Sequence, residues 1–301
     1  MSPSRLQSVL EAGKFAVTAE AGPPRGPDAE VVRRKARLLK GSVDACNVTD
    51  NQTSVVRMAS LAACRILAEE GVEPVMQMVC RDRNRIAAQS DILGAAALGI
   101  PNLLCLTGDH QCFGDHPQAK NVFDLDSIQL VKIARDMRDA SRFAGGKALE
   151  GKLELFIGSS ANPFADPAKI QVPRLAKKVA AGSEFIQTQC VFNIEKFKEW
   201  MRGVRERGLD TATHILAGIT PARSAAMLEY MATRVAGMDV PEAVIARVKG
   251  VPKAGQAEEG IRIAVETIQQ LREIPGVRGV HIMAIEWEEA VPEIVKGAGL
   301  R

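Results

Sequence analysis

Aromatic residues are scarce: nine Phe, two Trp and one Tyr stand among 301 residues. So thin a supply does not furnish the stacking platforms on which single-stranded nucleic acids are bound. Nor does one charge dominate, since 39 lysines and arginines face 36 acids and leave a formal charge of +3. The cations are spread among helical segments, so no basic stripe marks a nucleic-acid surface. No run approaches the roughly 18 apolar residues of a membrane span, and the start, Met1-Ser-Pro-Ser-Arg5, lacks the apolar core of a signal peptide. A cytoplasmic protein without a membrane partner is expected.

Other absences narrow the chemistry. Six cysteines (46, 64, 80, 105, 112 and 190) form no CxxC pair, and four lie in or beside apolar segments, as reduced core residues do. There is no Walker loop, and the first strand runs into Ala21-Gly22-Pro23-Pro24-Arg25 instead of the GxGxxG turn of a dinucleotide-binding unit. Ser159, Ser160 and Ser224 have no His-acid pattern nearby, which leaves nucleophilic hydrolysis without support. His110, Cys112, Asp115 and His116 crowd one loop, but their spacing matches no common zinc signature and no metal site is expected.

What the chain does have is a repeated motif: an apolar run, a polar residue, then a helical pattern. Strands are expected at 15–20, 44–49, 73–80, 102–107, 153–159, 185–190, 213–219 and 279–285. Helices are expected at 28–40, 55–70, 84–98, 126–142, 167–181, 194–207, 222–232, 241–249, 258–273 and 287–297. Eight recurrences of a βαβ spacing of about 30 residues favour an α/β fold closed as a (β/α)8 TIM barrel, with an open doubly wound sheet as the alternative. Hydrophobic residues make up 46% of the chain, enough for one domain over 1–301. The helix at 241–249 is an extra one before the last βα unit, expected to pack across a barrel end. The stretch 108–126 reads as a mobile loop over the active rim.

Barrel enzymes draw catalytic side chains from the C-terminal ends of several strands. Glu20 ends the first strand before a rigid Pro-Pro turn; burial there would raise a carboxyl's pKa and suit it to donate a proton, unless it pairs with Arg25 or a lysine. Asp109 follows Leu-Thr-Gly, where Gly108 permits close approach of the backbone to a ligand; the plainer role for Asp109 is to cap a short turn. Gln189, and more weakly Gln77, are amides in apolar strands that must find partners in the barrel or in a bound heterocycle. Thr49 and Asp50 end the second strand, where Asp50 could cap the following turn.

Taken together, Glu20-Ala-Gly-Pro-Pro-Arg25, Asn47-Val-Thr49, Leu106-Thr-Gly-Asp109, Lys178-Val-Ala-Ala-Gly182, Thr188-Gln189 and Gly218-Ile-Thr-Pro221 resemble, in order and spacing, the methylenetetrahydrofolate reductase family. His281-Ile-Met-Ala-Ile285 resembles that family's final strand. The resemblance implies a stand-alone catalytic barrel that reduces 5,10-methylenetetrahydrofolate to 5-methyltetrahydrofolate. A flavin would carry hydride from NADH or NADPH by ping-pong kinetics. It assigns Glu20 as general acid and Asp109 and Gln189 to the folate. Thr49, Gln77, Thr107, Gly108, Asp109, Asn162, Ala165 and Lys178 fall at flavin positions, with Lys178 supplying charge to a phosphate.

The chain departs from the family pattern at several of these places. Gln77 stands for a histidine, Thr107 for an arginine, Gly158 and Asn162 for a tyrosine and a histidine, Gln171 for an acid and Trp287 for an arginine. FAD is the expected flavin, with FMN, no tightly bound flavin, or direct transfer from nicotinamide to folate as alternatives. A homo-oligomer or a zinc-containing partner subunit is compatible with the resemblance. Competing classes are a non-enzymatic folate-binding or scaffolding subunit and a pterin methyltransferase.

Overall fold

The computed structural model describes residues 4–301. Its first half runs α1 (Arg5–Glu11), β1 (Ala16–Ala21), α2 (Ala29–Leu39), β2 (Ala45–Val48), α3 (Ser60–Glu69), β3 (Pro74–Val79), α4 (Arg85–Ala97), β4 (Asn102–Leu106) and α5 (Ser127–Asp139). The second half runs β5 (Phe156–Ala161), α6 (Gln171–Ala181), β6 (Phe185–Cys190), α7 (Ile194–Glu206), α8 (Leu209–Ala212), β7 (His214–Ile219), α9 (Ala225–Arg234), α10 (Glu242–Lys249), α11 (Gln256–Arg272), β8 (Val277–Ile282) and α12 (Ala290–Gly297). The strands form one closed barrel in chain order. It closes where β8 pairs in parallel with β1, from Ala16 opposite Gly279 to Ala19 opposite Ile282.

Side chains alternate across each strand, and this divides the core in two. On β1, Val17, Ala19 and Ala21 point outward into the layer between barrel and helices. Ala16 instead joins Ala45, Val75, Leu104, Phe156, Phe185 and Leu216 in an inner apolar floor. Leu6 and Leu10 of α1 close that floor from below. This helix was not anticipated, because its seven residues are too short to display a periodicity. Ser4 starts it by accepting the backbone N–H of Gln7 at 3.0 Å, and burial of each leucine contributes about 2 kcal/mol.

Above the floor the interior turns polar, with Thr18, Asn47, Gln187 and His281 all buried. Chain ends of the strands therefore look onto a polar well, whereas the opposite end is apolar and plugged. The C-terminal rim is the end at which barrels of this architecture carry their functional side chains.

Several boundaries differ from the expected ones. The fifth strand begins at Phe156, not 153, because pairing starts where the Phe156 N–H donates to the Pro101 carbonyl; Leu153 and Leu155 are buried but unpaired core residues. The eighth strand ends at Ile282, since Ile285 and Glu286 have φ of 48° and 57° and cannot continue a strand. The helix expected from 55 starts at Ser60, preceded by a 3-10 turn over Gln52–Ser54 in which Thr53 and Ser54 have left-handed φ. The stretch 108–126 is not wholly structureless: a 3-10 turn spans Gln111–Phe113. The extra helix, α10, packs with α9 and α11, Val248 joining Ala222, Ala225, Leu228 and Ile263 in a separate cluster.

Candidate active site

Glu20 sits on the inner face near the end of β1 and keeps 24% of its side chain exposed. The Gln77 amide on β3 donates to its Oε2 at 3.1 Å, and His281 Nε2 on β8 lies 3.9 Å from the same oxygen. Neither Arg25 nor a lysine pairs with it among the described residues, and the carboxyl, braced by Gln77, faces the cleft.

Gln189 reaches the rim through a break in the strand. Between β6 and β7, Gln187 is opposite Leu216 but Cys190 is opposite Gly218, so β6 spends one extra residue there. Such a bulge re-aims side chains next to a site. Thr188 Oγ1 fixes it, accepting the Gly218 N–H at 3.0 Å and donating to the Gln189 carbonyl at 2.9 Å.

Asp109 follows Gly108, whose φ of +91° and tight fit, with an added Cβ only 2.9 Å from that of Val79, admit no side chain. The turn that follows is capped by His110, which accepts the Cys112 N–H, so capping is not the role of Asp109. Its backbone carbonyl is pinned instead, by Ser54 Oγ at 3.0 Å and Arg81 Nη1 at 3.1 Å. Its carboxylate accepts no hydrogen bond from the described residues and is exposed to the cleft. Asp50 accepts the Val79 N–H at 2.9 Å and pairs with Arg83 at 2.6 Å; it fastens β2 to β3 instead of capping the following turn.

Glu20, Gln77, Asp109, Asn162, Ala165, Lys178 and Gln189 line one cleft of about 590 Å³. Thr107 and Gly108 line an adjoining hollow of about 360 Å³, which shares Gln77, Asp109 and Lys178 with the first. Thr49 lines neither: it is buried and donates its hydroxyl to Gln52 Oε1 at 2.7 Å. Thr107 Oγ1 accepts the Ser127 N–H at the start of α5. Asn162 is partly committed, accepting the Phe164 N–H at 3.0 Å, and Gln171 donates to the Ala165 carbonyl at 2.9 Å.

Lys178 is buried and donates to the Ser160 carbonyl. Burial, reinforced by the nearby Arg174 charge, brings its pKa down to about 8. Arg174, one turn earlier on α6, borders both cavities and has no ion-pair partner among the described residues. Two cations without an ion-pair partner among the described residues border one open space and offer charge to an anion. This suits the phosphates of a nucleotide.

Four residues of the site were not anticipated. Arg174 is four positions before Lys178 and so shares its helix face. Gln187 is two before Gln189 and so points inward like an ordinary strand neighbour. His281 lay within a recognised motif but had no role assigned. Arg81 lies two residues past the end of β3 and gave no signal, since its partners come from three separate segments.

The loop acids, histidines and cysteine do not converge on one point. His116 Nδ1 pairs with Asp115 at 2.9 Å, and among the described residues no three His, Cys, Asp or Glu side chains are gathered for a metal ion. No helix is long and apolar enough to cross a membrane.

The model of the methylenetetrahydrofolate reductase family matches residues 5–299. The chain belongs to that family. Methylenetetrahydrofolate reductase 2 of Schizosaccharomyces pombe is 27% identical over 234 residues, covering 75% of this chain and 35% of its own. A probable methylenetetrahydrofolate reductase (NADPH) of Caenorhabditis elegans is 22% identical over 311 residues, covering 98% of this chain and 44% of its own. This member of the family thus spans less than half the length of these curated relatives. Among solved structures, a Clostridium thermocellum protein described as binding two copies of 5-methyl-5,6,7,8-tetrahydrofolic acid superposes with a TM-score of 0.69 at 14% identity, over 97% of this chain and 98% of that one. A 2,3-dimethylmalate lyase superposes with a TM-score of 0.52 at 11% identity, over 98% and 85% of the two chains. Both likenesses are of the barrel fold.

Proposed function

We propose that this chain reduces 5,10-methylenetetrahydrofolate to 5-methyltetrahydrofolate, using FAD and either NADH or NADPH. The observation that carries the reading is the placement of Glu20: a partly exposed carboxyl, braced by Gln77, opening onto a cleft that also presents Asp109 and Gln189. When bound, the flavin supplies hydride transfer between nicotinamide and folate. The chain's own residues manage position and protons. Glu20 delivers a proton to the folate nitrogen that leaves as the five-membered ring opens, which exposes an iminium carbon to hydride. The side chains of Asp109 and Gln189 orient the pterin, and Lys178 with Arg174 receives the cofactor's phosphates. Thr107, Gly108, Asn162 and Ala165 border the remaining cofactor space.

Anaerobic half-reactions test this. Glu20→Gln is expected to keep reduction of FAD by NAD(P)H and to lose reoxidation by methylenetetrahydrofolate, by about 100-fold or more. Equal loss in both halves, or no turnover of folded protein with FAD and either donor, overturns the assignment. A second reading, hydride passed directly from nicotinamide to folate, draws support from Asn162 and Gln171, whose amides already serve backbone groups. A colourless protein that turns over without added flavin would select it.

A further inference from the structure

Below Glu20 lies a buried polar chain that the reaction above does not use. His281 is 3% exposed. Its Nδ1 lies 3.0 Å from Thr18 Oγ1, and its Nε2 lies 3.9 Å from Glu20 Oε2. The Thr18 hydroxyl also lies 3.3 Å from the Val280 carbonyl and accepts from Gln187 Nε2 at 3.2 Å. Gln187 is in turn locked to Asn47, accepting at 2.6 Å and donating at 3.0 Å.

The Thr18 hydroxyl has one proton and two acceptors within reach. If it donates to Val280 O, imidazole Nδ1–H must donate to Oγ1, and a bare Nε2 faces Glu20. That arrangement suits a protonated carboxyl. If the hydroxyl instead donates to Nδ1, the ring carries its proton on Nε2, which suits a carboxylate. In both arrangements Oγ1 still accepts from Gln187, and Oγ1 and Nδ1 are paired with each other. At 3.9 Å the Glu20 contact is not yet a hydrogen bond; a turn of the partly exposed Glu20 side chain closes it.

We propose that His281 is a positioning residue for Glu20 that exchanges tautomer as Glu20 gains or loses its proton. One proton leaves Nδ1 and one arrives at Nε2, exchanged with water in the cleft, so no charge enters the barrel interior. Asp109, Asp166, Arg174 and Lys178 line the cleft that Glu20 and His281 share, and burial brings Lys178 down to about 8; the other titratable groups near Glu20 and its strand neighbours are thiols and one ion pair. Burial pushes Cys190 up to about 12 and Cys46 well above its usual range, and Lys35 pairs with Glu288 at 2.6 Å. Of these only Lys178 changes charge near neutral pH, and Glu20→Gln, which keeps that lysine, separates its effect from that of Glu20.

The inference rests on Glu20 being the proton donor, and its test is separable from that reading. The chain has only four histidines, so two-bond proton–nitrogen spectra of ¹⁵N-histidine-labelled, ligand-free protein report each ring directly. As pH is varied so that Glu20 gains or loses its proton, one ring is expected to pass between the two neutral tautomers. Glu20→Gln should abolish that passage, and Thr18→Val should hold the ring as the Nε2–H tautomer throughout. Either variant also assigns the signal, without need of a His281 substitution. A ring that keeps one tautomer in the wild type, or that switches identically in both variants, overturns the proposal. In turnover, Thr18→Val should slow the folate half-reaction about tenfold while flavin reduction is unchanged; loss of tautomer switching with wild-type folate kinetics in that variant would also overturn it.

Discussion

The ring of Phe185 fills the space into which residue 158 would project: a Cβ built on Gly158 would lie 2.3 Å from it. The two residues are register partners on β5 and β6, and Phe185 stacks on Phe156 with centroids 4.9 Å apart. The missing side chain at Gly158 is therefore compensated by bulk from the neighbouring strand. Gly158→Ala is expected to cost about 1–3 kcal/mol by overpacking, read from urea unfolding. Phe185→Leu should cancel most of that cost when combined with it. Additive losses in the double variant would refute the compensation.

Lys178 gives a pH-dependent prediction. Its folded pKa of about 8 lies below the ordinary lysine value of 10.5, so the unfolded chain holds the proton more tightly. The penalty is full below about pH 8 and is relieved as pH rises from there toward 10.5. The gap corresponds to about 3 kcal/mol at most, so Lys178→Met should raise the stability of the ligand-free protein. Anion binding has the opposite dependence, because it needs the charged form. Affinity for ADP, a stand-in for a nucleotide diphosphate, should fall as pH climbs through about 8, and Lys178→Met should weaken it about tenfold and flatten the curve. Calorimetric titration checks both; affinity that is independent of pH in the wild type would remove Lys178 from the anion site.

The bulge at Thr188 makes a third. Thr188→Val deletes the acceptor for the Gly218 N–H, which should cost about 1–2 kcal/mol and leave Gln189 poorly aimed. Binding of 5-methyltetrahydrofolate is expected to weaken about tenfold, and Thr188→Ser should restore it. Failure of the serine variant to rescue would show that the methyl group, and not the hydroxyl, matters there.

The barrel was legible because its strands are short, apolar and regularly spaced, and helix starts such as Asp126 carry their own caps; Asp126 and Gln129 form a reciprocal capping box. Glu20, Asp109 and Gln189 were legible for a related reason: each is a polar residue placed where an apolar strand ends. Local pattern fails where the determinant is a distant partner. Nothing around Ile285 announces a left-handed φ, so the last strand was extended too far. Thr49 looked like a rim residue, yet its hydroxyl is taken by Gln52, three residues on. His281 sits 263 residues from the threonine that orients it, a separation that no window along the chain can span.

Arg81 is the extreme case of that long-range dependence. Its guanidinium makes five hydrogen bonds, two to the Asp82 carboxylate and one each to Ser54 Oγ, the Asn51 carbonyl and the Asp109 carbonyl. It thereby joins the strained turn after β2, where Asn51, Thr53 and Ser54 all have left-handed φ, to the loop that carries Asp109. Lysine keeps the charge but not the planar fork, so Arg81→Lys is expected to cost about 2–3 kcal/mol. Because the lost bonds hold the rim and not the barrel, the effect should be local. Trypsin or chymotrypsin should cut between Asp109 and Val122 faster than in the wild type, with the far-ultraviolet spectrum unchanged. Wild-type cleavage rates in that segment would mean that the Gly114 contact with Ser54, where an added Cβ would come within 1.9 Å of a carbonyl, already holds the loop without the arginine.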